Sequence, residues 1–373
     1  MEFRIERGEL AGAVAWAARV LPARSPVAVL GGLLLDASEG RLRISGLDHE
    51  ASARIEVDAD TVRDGRVLVM GRRLLDICLV LPDGLVACAV EGSRFSVAGE
   101  GTRFGLSVLP LDDCPTLPPL PEYQGVVDAE AFAAAVGHVA VAAGRDDTLP
   151  VLTGVRLALD GATMTLAATD RYRFAVRTLG WKPEASQTTA DIVVSARRLA
   201  DIARSMAHSG MVRVFLDGGS IGFENAGMRI TTRLLDGRLP RHEKLFALPE
   251  GVGATVVTDR APLLDAVRRV AVVVEGDGPM QLSFTGACVR LRAGYADDVA
   301  SQVLPAVLEG ADDMTVAFNP SYLVDALSSF DAQHVRFHLL GPGQRALLSG
   351  ADAVHGTVQP GHRHLLMSVK HLV

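Results

Sequence analysis

Arginines and aromatic rings carry most of the chemistry this chain can offer. Paired arginines recur at Arg72–Arg73, Arg197–Arg198 and Arg268–Arg269. Arg19, Arg24, Arg145 and Arg204 add single positions close to the ends of helical segments. A guanidinium is a permanent cation with a planar fork of donors that suits phosphate. The competing reading of any one of them is an ordinary solvated side chain; recurrence on helical segments along the chain favours a shared role. One stretch, Thr169-Asp170-Arg171-Tyr172-Arg173-Phe174, adds two rings to two arginines. Two other clusters carry little chemistry, the first of them as solvated surface. The acid pairs Asp146–Asp147 and Asp297–Asp298 lie in turn-rich segments, and His355, His362, His364 and His371 have an HxH spacing without a supporting carboxylate pattern, a weak metal signal. The sequence contains no GxxxxGK[ST], HExxH or GxSxG, so neither catalysis nor a cofactor or metal is expected.

The elements that position these residues repeat. Leu33–Val57, Val155–Leu179 and Met280–Leu304 each read as an alternating strand, a Gly-containing turn, a second strand, an acidic corner and a third strand. The corners fall at Asp48, Asp170 and Asp297, steps of 122 and 127 residues. A second landmark, Asp76 in RRLLDI, Asp201 in RRLADI and Asp325 in SYLVDAL, steps by 125 and 124. Two landmarks with one period imply three domains of one α+β fold, each with two helices and about seven or eight antiparallel strands. The boundaries read as 1–120, 126–249 and 253–373. A five-proline stretch, Leu109–Tyr123, links the first two, and an extended segment, Leu239–Glu250, links the second and third. Amphipathic spacing predicts helices over Glu9–Leu21, Arg72–Leu81, Ala129–Ala143, Arg197–Met206, Pro262–Val274 and Pro320–Ser329.

Composition bounds the rest. With 37 basic and 44 acidic residues the net charge is −7, which argues against a basic surface overall but leaves room for a local basic face. Cys78, Cys88, Cys114 and Cys288 lack metal spacing, and apolar surroundings mark most of them as buried free thiols of a reducing compartment. The start, MEFRIERGEL, has no leader-like apolar core, and no apolar run approaches a membrane span, so a cytoplasmic protein is expected.

The stretches MxFRIERGEL, LTGVRLALDG, ATDRYRFAV, LLDGRLPRHEKL, FNPSYLVDAL and HLLMSV resemble the beta subunit of bacterial DNA polymerase III, the replicative sliding clamp, most of all its actinobacterial members. The resemblance covers the whole chain. It implies a clamp fold closed head-to-tail into a homodimeric ring around double-stranded DNA, helices inside and sheets outside. It also implies a processivity subunit without its own catalytic centre, serving DNA polymerase III alpha subunit, the clamp loader and other replication and repair proteins.

Carried over by motif, a partner-peptide pocket would comprise Leu152, Thr169, Arg171, Tyr172, Arg173, Phe174, Pro240, Lys244, Leu245, Asn319, Tyr322, Leu366, Met367, Ser368 and Val369. The arginines listed above would face DNA, Arg24 at a position where the family has a DNA-contacting arginine. The subunit interface would place Cys78 and Leu79 near one edge and Val270–Val274 near the other. A Leu366→Asp change is expected to abolish peptide binding and spare the dimer. The chain departs from the family at Ala28, His242, Lys244, Ser368 and Lys370, and its EGDGP loop, Glu275–Pro279, lacks a basic residue common there. Serine in place of proline at 368 is expected to free the backbone. Two alternatives to an ordinary clamp follow: a divergent second copy whose altered pocket tolerates a clamp-directed inhibitor, and a clamp-like scaffold that encircles no DNA.

Overall fold

A computed structural model describes residues 1–22, 27–208, 210–247, 253–295 and 297–370. Its helices are α1 (Arg7–Ala17), α2 (Gly71–Val80), α3 (Ala129–Ala140), α4 (Ala196–Met206), α5 (Glu243–Phe246), α6 (Arg260–Val270) and α7 (Pro320–Ser328). Three, α1, α3 and α6, end three or four residues earlier than their periodicity suggests. The predicted tails of the first and the fifth tighten into 3-10 turns, Ala18–Val20 and Ala271–Val273. The α7 start is as the sequence suggests: Pro320 occupies the first turn, and the Asn319 side chain accepts from the Ser321 N–H at 2.9 Å. Gly71 opens α2 because a Cβ there would stand 2.4 Å from Leu21 and 2.7 Å from Leu33. Among the described residues no helix is long and apolar enough to cross a membrane.

The backbone gathers into two compact units, Met1–Ala129 with Ser205–Leu234, and Glu130–Arg204 with Leu235–Val373. The sequence period and the packing therefore divide the chain differently, because the middle repeat contributes strands to both units.

In the first unit one antiparallel sheet runs, in order, through the strands at 122–128, 211–216, 220–225, 228–233, 51–58, 41–47, 32–38, 65–70, 102–109, 94–99, 85–91, 2–6 and 60–63. Its weld is the pairing of Met228–Arg233 with Ala51–Asp58. Helices α1 and α2 pack on each other, and Leu10, Val14, Leu33, Leu35, Leu42 and Ile44 lose all contact with water.

The second unit has one sheet through 189–195, 154–160, 163–169, 173–180, 358–367, 345–351, 334–339, 254–259 and 307–309, and a four-stranded sheet through 298–305, 288–295, 280–285 and 313–318. Here the weld pairs Arg173–Gly180 with Val358–Met367. Helices α6 and α7 lie on a core that includes Leu263, Val267, Phe284, Leu323 and Phe337.

One expectation needs correction, and one difference between the repeats gains a structural basis. The segment from Leu239 is not extended throughout: α5 forms because the His242 carbonyl accepts from the Leu245 and Phe246 amides, at 3.0 and 2.9 Å, and buries Phe246 edge-on against Phe174. Its far end, including Pro249, lies outside the described residues. The three corners are also not equivalent. Asp48 and Asp170 each cap a loop by accepting from the amides two and three residues on. The third corner is a shorter hairpin in which Tyr295 faces Asp298, with Ala296 outside the described residues.

Candidate partner-docking site

The site is built on the corner of the middle repeat. Asp170 Oδ1 accepts from the amides of Tyr172 (3.0 Å) and Arg173 (3.1 Å). The Thr169 hydroxyl donates to the Arg173 carbonyl at 2.6 Å and accepts from the Arg171 amide. These bonds hold Arg171 at φ +83°, a left-handed conformation that side chains rarely adopt. Arg173 then turns inward. Its Nε donates to Asp170 Oδ2 at 2.8 Å, its Nη1 to Asp325 Oδ2 at 2.6 Å, and its guanidinium lies 4.5 Å from the centre of the Tyr322 ring. The recurrent aspartate of the second helix thus acquires a particular role in the third repeat: it anchors α7 to the corner.

Above this buried network a cavity of about 710 Å³ opens, walled by Tyr172 and Tyr322 stacked at 6.4 Å. Burial, helped by Asp170, raises the pKa of the Tyr322 hydroxyl, so it remains a protonated donor. The rings, with Leu149, Leu152 and Val274, offer apolar surface, while Asn319 and Arg171 offer polar groups at the rim. Such a cleft suits a short segment carrying both apolar and polar groups.

Of the predicted pocket residues, the cavity collects Leu152, Arg171, Tyr172, Arg173, Asn319 and Tyr322. Thr169 is buried behind the turn it closes. Phe174 is core, packed with Val176, Phe246 and Leu365. Leu366, 1% exposed, lies in the main core of the second unit, so Leu366→Asp would break the fold and cannot isolate peptide binding. Pro240, Lys244, Leu245 and Met367 are exposed outside this cavity. Arg345 connects two of them, donating to the Leu245 carbonyl at 2.7 Å and pairing across strands with Met367, whose amide donates to the Tyr172 carbonyl.

The tail corrects another expectation. Ser368 does not free the backbone. Its amide donates to the Gln344 carbonyl at 3.0 Å, while its hydroxyl donates to the same carbonyl at 2.8 Å and accepts from the Gln344 amide at 3.0 Å. Val369 follows, its amide donating to the Ala317 carbonyl at 2.7 Å. Proline at 368 would lack the first of these donors.

Two arginines expected to face DNA, Arg145 and Arg268, are exposed and line this cavity. Sequence reasoning also missed Leu149, Ala271, Val274 and Asp277 in its wall; their types carry no signal that separates them from core or loop. The other helix arginines, Arg72 and Arg73 on α2, Arg197 and Arg204 on α4, and Arg269 on α6, are exposed, as is Arg19; Arg198 is half-buried. Several have neighbours: Arg204 meets Asp201 at 3.3 Å and Arg269 donates to Gln302 at 3.1 Å. Arg24 lies outside the described residues.

The expected interface residues separate into two kinds. Cys78 and Val270 are core, and burial pushes the Cys78 thiol up to about 12, whereas Leu79 and Val272 are 64% and 82% exposed. The histidines do not form one cluster. His355 is exposed beside Glu309, His371 lies outside the described residues, and His362 and His364 are buried. The His362 ring lies 5.0 Å from that of His138 and is tilted by 30°, its Nε2 at 2.9 Å from the Ser329 hydroxyl, and burial lowers its pKa to about 4.

Comparison with known proteins matches the chain to models of the DNA polymerase III beta subunit in three consecutive pieces: N-terminal domain at 1–118, central domain at 126–241 and C-terminal domain at 246–359. It is 46% identical to the beta sliding clamp of Streptomyces coelicolor, covering 99% of both chains, and 40% identical to the beta sliding clamp homolog GriR of Streptomyces muensis, again over 99% of both. Among solved structures it is similar to the DNA polymerase III subunit beta of Pseudomonas aeruginosa, with a TM-score of 0.89, 27% identity and complete coverage of both chains. It is similar also to a griselimycin-bound sliding clamp from the same organism, with a TM-score of 0.90, 27% identity and 99% coverage of each.

Proposed function

The chain belongs to the DNA polymerase III beta subunit family, and we propose that it works as a sliding clamp, a head-to-tail homodimer that encircles duplex DNA in the cytoplasm. In that role it holds DNA polymerase III, the clamp loader and other replication and repair factors to the template, and carries no catalytic centre itself. The observation that carries this reading is that the family likeness runs through all three repeats, with 99% of each chain covered against the Streptomyces coelicolor clamp. We place the three clamp domains at 1–120, 126–249 and 253–373.

Physical chemistry supports the assignment. Duplex DNA presents about one charge per 1.7 Å, and a protein held by ring closure needs only weak, sequence-independent contacts to it. Exposed arginines on α2, α4 and α6 suit that need, and a net charge of −7 is no obstacle when closure does the holding. Exposed Leu79 and Val80 in the first repeat and Val272 in the third suit a contact between two copies. The cavity beside Tyr172 and Tyr322 is the proposed seat for partner peptides, with Leu245 and Met367 extending it.

The test is loading by a clamp loader onto nicked circular DNA followed by linearisation. A clamp stays on the circle and is lost when an end appears. Equal retention on both forms would leave only a partner-binding scaffold.

A second reading, a specialised copy with an altered pocket, is favoured by one observation: the tail beside the pocket is pinned through Ser368 rather than built on proline. Titrating a clamp-binding peptide and griselimycin against this chain and a standard clamp separates the two. Weaker griselimycin binding with peptide binding retained supports the specialised copy; equal affinities for both ligands exclude it.

A further inference from the structure

The solvent-facing side of the sheet in the first unit carries charge in rows. In one row the cross-strand partners run Arg66, Asp36, Arg43, Glu56, alternating in sign at every step. Its ion pairs measure 3.2 Å for Arg66–Asp36 and 2.8 Å for Arg43–Glu56. The adjacent row runs Arg213, Glu224, Arg229, Arg54. Alternation fails at its last step, where Arg229 and Arg54 stand opposite each other across the weld of Met228–Arg233 to Ala51–Asp58. Like charges placed so are destabilising unless something lies between them.

The nearby acids do not supply it. Glu224 is taken by Arg213 at 2.8 Å and Arg229 at 2.9 Å. Arg54 comes within 4.0 Å of Glu56, but that carboxylate already holds Arg43 at 2.8 Å and has Arg41 at 3.9 Å. A cavity of about 330 Å³ opens over this fault, lined by Arg54, Arg213, Arg229 and the exposed Met211 among others. At its margin Arg213 lies 5.0 Å from the Tyr123 ring and 5.2 Å from that of Phe215.

We infer that this fault is a docking surface for an acidic segment of a partner protein, one carboxylate of which sits between Arg54 and Arg229 and completes the alternating row. An apolar neighbour of that carboxylate rests on Met211. The arginine forks suit a carboxylate in two-point contact. A nucleic acid fits worse, because Glu56 and Glu224 stand in the same cavity wall as the arginines and repel a backbone charged at every unit, whereas a peptide can place its acids selectively.

The test uses the full chain, a fluorescein-labelled dodecapeptide of repeated Asp-Asp-Leu, and a single-stranded DNA of the same number of units, read by fluorescence anisotropy. The peptide binds saturably and more weakly in high salt, with a loss of about tenfold or more in Arg54→Glu and in Arg229→Glu. Arg94→Glu, elsewhere on the first unit, keeps wild-type affinity. A thermal melt of Arg54→Glu at or above the wild-type temperature, and a cooperative melt of Arg229→Glu, which moves the like-charge contact onto Glu224, show that the loss is not unfolding. Absence of peptide binding, or affinity for Arg54→Glu within about twofold of wild type, overturns the proposal. So does DNA binding that Arg54→Glu abolishes while the peptide remains unbound.

Discussion

Each compact unit contains a weld between repeats, and the two welds are made of opposite materials. In the first unit, Arg229 faces Arg54, and Thr231 faces Ser52 beside them. The outward side there is a lattice of partly exposed charge. In the second unit, Phe174 faces Leu365 and Val176 faces Arg363, and α5 lays Phe246 over them, with the Arg363 guanidinium 5.0 Å from that ring. The other side of the same strands buries His362 and His364. A hydrogen-bonded strand pair specifies neighbours but not strength; the side chains on its two faces decide whether the join is also core. One weld is dry on both faces and the other is wet on one. Substitutions of similar size should therefore cost very different amounts in the two places.

The largest contrast comes from a charge in the dry weld. Leu366→Asp puts a carboxylate into the core of the second unit opposite Arg173, a cation that Asp170 and Asp325 already share, which should cost on the order of 3–5 kcal/mol. Its denaturation midpoint should collapse; a near-native midpoint would mean that the dry weld is not core. Next comes Arg173→Met, which leaves Asp170 and Asp325 without their shared cation and should cost about 3 kcal/mol. Adding Asp325→Leu to that variant should recover part of the loss in urea titrations, because the second stranded charge is then gone. No recovery would show that the three residues do not act as one network.

How much of this was legible in the chain follows from what each signal depends on. The strands and helices rest on local alternation and helical spacing, so α4 and α7 sit close to where the pattern puts them. The corner also showed itself, because Asp170 caps its own turn through amides two and three residues away. Arg173 read as a pocket residue and does line the cavity, but its burial beneath it was hidden, since the partner that draws it inward, Asp325, is 152 positions distant. Phe246 was hidden for the same reason: an extended segment and a single helical turn look alike until Phe174 provides something to pack against. The arginine fault could not be read at all, because the register of two strands from different repeats makes Arg54 and Arg229 neighbours.

Acid should find the dry weld before the wet one. His362 is held neutral by burial, with His138 and Arg177 opposing its protonation and Asp331 favouring it. Its folded-state pKa is about 4, below the ordinary histidine value of about 6.5. The unfolded chain therefore binds the proton more readily. The ring's contribution is whole above about pH 6.5 and is lost as pH falls towards 4, a change on the order of 3 kcal/mol. Burial lowers His138 and His364 in the same direction. His362→Gln should flatten the fall in urea midpoint between neutral and mildly acidic pH relative to wild type. Equal falls in both proteins would put the acid sensitivity elsewhere.

The smallest effects belong to the wet weld, and there the sign matters more than the size. Arg54→Glu restores alternation to the faulted row and should raise stability by about 0.2–1 kcal/mol. Asp36→Lys introduces the same fault into the intact row, between Arg66 and Arg43, and should lower stability by a similar amount. Both changes should shrink in concentrated salt, because these side chains face solvent and their fields are screened. Paired melts at low and high salt read the sign and its screening together. A stabilising Arg54→Glu means the fold tolerates a frustrated pair at a place where a simple substitution relieves it, the pattern expected of a surface kept for binding. A destabilising one would mean that Arg54 already has its full complement of charge within the chain.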